Sequence, residues 1–152
     1  MKLAVALSRR VATQTLISQL SERLSSNAKV QSGETTAEDP LALLTKLRES
    51  SEALEKLIAA INLTNSRTVD GGETLTELLA RRDAQKQYVG LLRKFLGEAA
   101  QKVDRYAKSE IVIRSAVNVA ELQAQCDQSA KNLRELDERI QGLNWTTELI
   151  EK

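Results

Sequence analysis

Apolar or small side chains recur at Val119, Leu122, Cys126, Ser129, Leu133, Leu136, Ile140 and Leu143, at intervals of 3, 4, 3, 4, 3, 4 and 3 residues. A 3–4 alternation sustained over three heptads predicts a long helix lying along others through a narrow aliphatic ridge. The same alternation runs through Leu44, Leu47, Ser51, Leu54, Ile58, Ile61 and Asn65. Two such ridges set the fold class: mainly α, with long antiparallel helices in a coiled-coil-like bundle. At 152 residues the chain is expected to form a single helical domain.

Start and stop signals place the helices. Helix one is predicted over about 2–28, with Leu3, Leu7, Val11, Ile17, Leu20 and Leu24 as its stripe. The polar run Gln31-Ser32-Gly33-Glu34-Thr35-Thr36 breaks it. Asp39-Pro40 then offers a capping carboxylate followed by proline at the first helical position, which opens helix two over 40–65. Val69-Asp70-Gly71-Gly72 reads as a turn, and Thr74-x-x-Glu77 as a capping box for helix three. That helix is predicted over 74–107, with Leu78, Leu92, Phe95, Leu96, Ala99, Val103 and Tyr106 as its stripe. Gly90 and Gly97 interrupt it, which points to close approach by a neighbouring helix. Asn118 caps helix four, predicted over 119–142, and Asn144-Trp145-Thr146-Thr147 reads as a turn.

One segment departs from the helical regime. Ile111, Val112, Ile113 and Val117 put four β-branched aliphatics into residues 110–117, which predicts a short strand there. A lone strand cannot pair its own backbone groups. The partners on offer are Ala28–Gln31, Arg67–Val69 or another subunit, so the chain is expected to be a homo-oligomer.

Composition removes several function classes. There is no His, which takes away the commonest general base and the Glu-x-x-His pairs of di-metal bundles. The charge nearly cancels at +1, so no broad field draws in nucleic acid or an anionic membrane. Gly71-Gly72 lacks the spacing of a phosphate loop. The N-terminal apolar run Leu3–Leu7 is too short for a signal core, and no window approaches the ~20 apolar residues of a membrane span. Together with a single Cys126 this predicts a cytoplasmic protein with no cofactor. Aromatics are only 3%, so the core must be aliphatic.

The candidate interaction or ligand residues are polar groups near the ridges. Arg82 and Asp83 lie mid-helix, as a ligand- or partner-binding pair or as an interhelical ion pair. Asp104, Arg105, Tyr106 and Glu110 join helix three to the predicted strand, as a small polar site or as ordinary junction chemistry. Asn144 and Trp145 follow helix four, where Trp145 either closes the bundle end or anchors an interface. Cys126 falls on the ridge and reads as a small buried residue.

The segments Ala37-Glu38-Asp39-Pro40, Ile61-Asn62-Leu63-Thr64-Asn65, Leu79-Ala80-Arg81-Arg82-Asp83, Asp104-Arg105-Tyr106 and Asn144-Trp145-Thr146-Thr147-Glu148-Leu149 occur in this order. In this order they resemble the septicolysin-like family of small bacterial proteins, over nearly the whole chain. The resemblance implies a helical fold and, through the family's label, a membrane-active cytolysin. It transfers no catalytic residue. The residues themselves favour a protein acting by self-assembly or by contact with another protein, as scaffold or adaptor. A small-ligand binder or enzyme using Arg82, Asp83, Asp104, Arg105 and Tyr106 is the alternative.

Overall fold

The computed structural model describes residues 1–101 and 112–151. Among these the chain is mainly α, with α1 (Leu3–Ser26), α2 (Pro40–Arg67), α3 (Leu75–Ala99) and α4 (Val119–Thr146). The capping signals at Asp39 and Asn118 hold. Asp39 accepts from the Leu41 amide at 3.0 Å with Pro40 behind it, and Asn118 accepts from Ala120 and Glu121 at 3.1 and 3.2 Å. Helix α3 starts directly after Thr74.

The extended structure lies elsewhere than expected. It is a hairpin of β1 (Val69–Asp70) and β2 (Glu73–Thr74), with Val69 opposite Thr74 and Asp70 opposite Glu73. Gly71 and Gly72 both carry positive φ, 57° and 85°, the requirement of a two-residue type I′ turn. Of the predicted strand 110–117, Glu110 and Ile111 lie outside the described residues. Residues 112–117 form no strand, and Val112 is 87% exposed. Local β propensity is not enough without a neighbour to take the backbone hydrogen bonds.

The chain divides into two compact units, Met1–Leu75 with Gly142–Lys152, and Thr76–Gln141. In the first, α1 packs against α2. The inward residues of α1 are Leu3, Ala6, Arg10, Thr13, Ile17, Leu20, Leu24 and Asn27, again spaced 3 and 4. Leu7 is only partly buried and Val11 is exposed, because the inner stripe passes through Ala6, Arg10 and Thr13 instead. On α2 the inward set is Leu43, Leu47, Ser50, Leu54, Leu57, Ile61 and Thr64. The predicted ridge shares only Leu47, Leu54 and Ile61 with it, and Leu44 and Ser51 face solvent.

Buried polar groups account for that rotation. Asn27, at the end of α1, donates to Arg23 O at 2.8 Å and accepts from the Glu38 amide at 2.9 Å, which ties the connection back to the helix. Arg23 adds a two-pronged pair to Glu38 and holds its carboxyl below the usual range. At the other end, fully buried Thr64 donates to Ala60 O and accepts from the Ile150 amide, at 2.8 and 2.9 Å. Leu3 N–H donates to Thr147 O, and Leu149 N–H to Met1 O, so the start of the chain and residues 147–150 form an isolated antiparallel bridge.

The second unit is an antiparallel helical hairpin of α3 and α4. Leu92, Leu96 and Cys126 form its buried cluster, with Val119 and Leu122 packed against them. The α4 ridge read from sequence is inward along its whole length, and Cys126 is a buried free thiol. On α3 the inward set is Leu78, Arg82, Gln85, Val89, Leu92, Leu96 and Ala99, so Phe95 of the predicted stripe lies outside it. Helix α3 ends at Ala99, and the predicted continuation through Val103 and Tyr106 falls outside the described residues. Helix α4 runs past Gly142 to Thr146, with the Thr147 amide donating to Leu143 O at 2.9 Å. The predicted turn at Asn144–Thr146 is therefore helical.

Candidate functional site

The α3–α4 hairpin carries most of the chemistry among the described residues. Arg82 sits on the inward set of α3, where an apolar residue is the norm, because its guanidinium reaches carboxylates at the rim. Its Nη2 and Nε lie 2.8 and 3.0 Å from Asp83 Oδ1, and its Nη1 lies 3.9 Å from Asp137 of α4. The interhelical ion pair is thus present. Asp83 and Asp137 are largely exposed, so each pair contributes at most about 1 kcal/mol.

Arg82 is one wall of a groove of about 660 Å³ along one side of the hairpin. Its floor is Val89, Gly90, Ala130 and Leu133, and Lys86, Arg93 and Arg134 join Arg82 around it. Four cations face two carboxylates, Asp83 and Asp137, so the groove is net cationic. Lys86, Arg93, Arg134 and Asp137 carried no sequence signal, since they belong to no stripe and meet only when the two helices align. Nearby, Gln85 Oε1 is buried without a hydrogen-bond partner.

The other exposed face of α3 is apolar. Tyr88, Leu91 and Phe95 are 49, 59 and 46% exposed and share one helix face. Gln125 Nε2 of α4 donates to the Tyr88 hydroxyl at 3.1 Å, which fixes that ring at the hairpin edge. The sequence did carry a signal for this face, in the doublets Tyr88-Val89, Leu91-Leu92 and Phe95-Leu96. One member of each turns inward and the other outward.

Of the sequence-predicted site residues, Arg82 and Asp83 come together. Asp104, Arg105, Tyr106 and Glu110 lie outside the described residues. Asn144 and Trp145 belong to the first unit, where Asn144 is buried and Trp145 is 63% exposed. Trp145 therefore does not plug a core. In the same unit an apolar groove of about 650 Å³ runs along α2 at Ala53, Leu57 and Ala60, beside Leu149. Among the described residues no three His, Cys, Asp or Glu side chains gather as a metal site, and no helix is long and apolar enough to cross a membrane.

A functionally unknown conserved protein from Corynebacterium diphtheriae, known from its crystal structure, is similar at a TM-score of 0.90 and 39% identity, over 99% of each chain. No curated protein matches the sequence. Residues 10–149 match a family of unknown function, DUF6847. These findings overturn the resemblance to septicolysin-like proteins, because neither match points to that family. One segment that carried it, Asp39-Pro40, is an ordinary helix cap. The chain belongs to the family of unknown function DUF6847.

Proposed function

We propose that this protein works as a self-associating helical scaffold, through exposed helix faces rather than through a reaction centre. The observation that carries the reading is the placement of its aromatic residues. The chain has four, and the three among the described residues, Tyr88, Phe95 and Trp145, all stand about half exposed or more. Aromatic side chains bring a large apolar area and normally dominate cores, and where they sit on a surface they are enriched at protein interfaces. Among the described residues the core is aliphatic and the three aromatics stay on helix surfaces. Sedimentation equilibrium across the micromolar range tests this. The reading expects a mass above the 16.8 kDa of one chain, and it fails if a single-chain mass persists throughout.

A second reading rests on the net cationic groove of α3 and α4, with Arg82, Lys86, Arg93 and Arg134 around an apolar floor. A small anionic ligand with an apolar body fits that chemistry, because guanidinium groups bind carboxylate and phosphate bidentately. Thermal melts with citrate, inorganic phosphate and nucleotides test it. Binding to the native state raises the melting temperature, and no shift with any of them at millimolar concentration removes the reading.

A further inference from the structure

We infer that the groove between α3 and α4 binds an elongated dianion, with one anionic group at Lys86 and Arg134, the other at Arg93, and an apolar chain between them over Gly90 and Ala130. This rests on the anionic-ligand reading above and names the class of ligand.

The antiparallel register of the hairpin orders the groove. Arg82 reaches Asp137 and Leu92 packs with Cys126, which sets Ala130 level with Val89 and Gly90, and Arg134 level with Lys86. From one end to the other the groove therefore runs from Arg82 and its carboxylates, past Lys86 and Arg134, over the small residues Gly90 and Ala130, to Arg93.

The positive surplus sits at two separate points. Arg82 is neutralised by Asp83 and Asp137. Lys86 and Arg93 pair with no carboxylate among the described residues, and Arg134 has only an exposed contact of 3.9 Å with Glu138. Asp127, the acid of α4 nearest the level of Arg93, accepts from Gln123 Nε2. Lys86 and Arg93 are seven residues apart on one continuous helix, which is about 10 Å at 1.5 Å per residue.

Gly90 keeps the space between them open. Glycine is disfavoured inside a helix, and a Cβ built at Gly90 meets nothing within 4 Å, so packing does not require its small size. A long side chain there would fill the groove that Gly90 lines. Val89 and Ala130 beside it carry no side-chain hydrogen-bonding group, so the middle of the ligand is apolar. A second copy of this face is a poor occupant, because groove on groove sets like charges together. A ten-carbon chain with an anionic group at each end fits, since nine extended bonds at ~1.2 Å each cover about 11 Å.

Isothermal titration calorimetry of the full chain tests this with decanedioate, butanedioate and decanoate, and with decane-1,10-bisphosphate to separate carboxylate from phosphate ends. At least one ten-carbon dianion is expected to bind about tenfold more tightly than butanedioate or decanoate, which reach a single cationic point. Lys86→Gln and Arg93→Gln are each expected to weaken it about tenfold, and Gly90→Leu to abolish it, all at parent helicity by circular dichroism. Arg48→Gln, which removes an exposed cation on α2, is expected to leave binding unchanged. Long and short dianions bound equally, or affinity that survives Arg93→Gln or Gly90→Leu, overturns the two-ended site and leaves the anionic-ligand reading standing. No binding by either ten-carbon dianion overturns the site as well. If citrate, phosphate and nucleotides then also give no melting shift, the anionic-ligand reading fails with it.

Discussion

Thr64 Oγ1 accepts a hydrogen bond of 2.9 Å from the backbone amide of Ile150, 86 residues away, and Thr64 is fully buried. The same hydroxyl donates to Ala60 O at 2.8 Å, so it both donates and accepts within the core. This contact holds residues 147–150 against α2, beside the bridge from Lys2 to Glu148.

Replacing Thr64 by Val keeps the shape and removes the hydroxyl. The Ile150 amide then loses its partner, at a cost of about 1–2 kcal/mol. Thr64→Ser is expected to retain most of the stability. Hydrogen exchange at the Ile150 amide gives the local readout, with faster exchange in the Val variant and near-parent exchange in the Ser variant. Unchanged exchange in Thr64→Val would mean the bond contributes nothing.

Glu148 accepts from Lys2 Nζ at 2.7 Å and from the Met1 ammonium at 3.1 Å, and these cations hold its carboxyl below the usual glutamate range. A depressed folded-state pKa means the ionised form stabilises the fold. That contribution is complete above the unfolded-state pKa and fades as pH falls through the depressed one. Urea midpoints of the parent and Glu148→Gln, measured over a pH series, are expected to differ at neutral pH and to converge in acid. Because Glu148 is largely exposed, high salt is expected to narrow the gap as well. A gap independent of pH contradicts this.

Gln85 places a buried, unpaired Oε1 on the α4-facing set of α3. An unsatisfied buried acceptor costs about 1–3 kcal/mol. Gln85→Met keeps the chain length without the polar atoms and is expected to raise the urea midpoint, by the equivalent of about 1 kcal/mol. A lower midpoint would show that the amide makes a stabilising contact in solution.

Gly90 lies inside α3, and a Cβ built there meets nothing within 4 Å. The expected close approach by a neighbouring helix is absent at Gly90 and at Gly97 among the described residues. Gly90→Ala is therefore expected to stabilise by about 1 kcal/mol, the helix-propensity difference between the two residues. For a chain of this size that corresponds to about 2–4 °C in the melting temperature. A fall in melting temperature would mean that the glycine is needed for packing.

Much of the fold was legible because helix caps and heptad spacing are local. Asp39-Pro40, the turn at Gly71-Gly72 and Asn118 each act within a few residues, and each lies where the sequence puts it. The site was less legible. Arg82 and Asp83 are neighbours in sequence, but Asp137, Arg134 and Lys86 join them only across two helices. The segment at 112–117 misled for the same reason in reverse, since strand propensity has no effect where no partner backbone is at hand.

By itself the sequence determined the helical regime, the caps at Asp39 and Asn118 and the inward ridge of α4. On α1, α2 and α3 only the tertiary structure decided which set turns inward. Adjacent heptad sets lie 100° apart, and where they are nearly equal in hydropathy, as on α2, local pattern leaves the choice open. On α2 the set containing Ser50 and Thr64 turns inward rather than the set containing Ser51 and Asn65. Contacts from residues far along the chain make the difference, and the Ile150 amide on Thr64 is one of them.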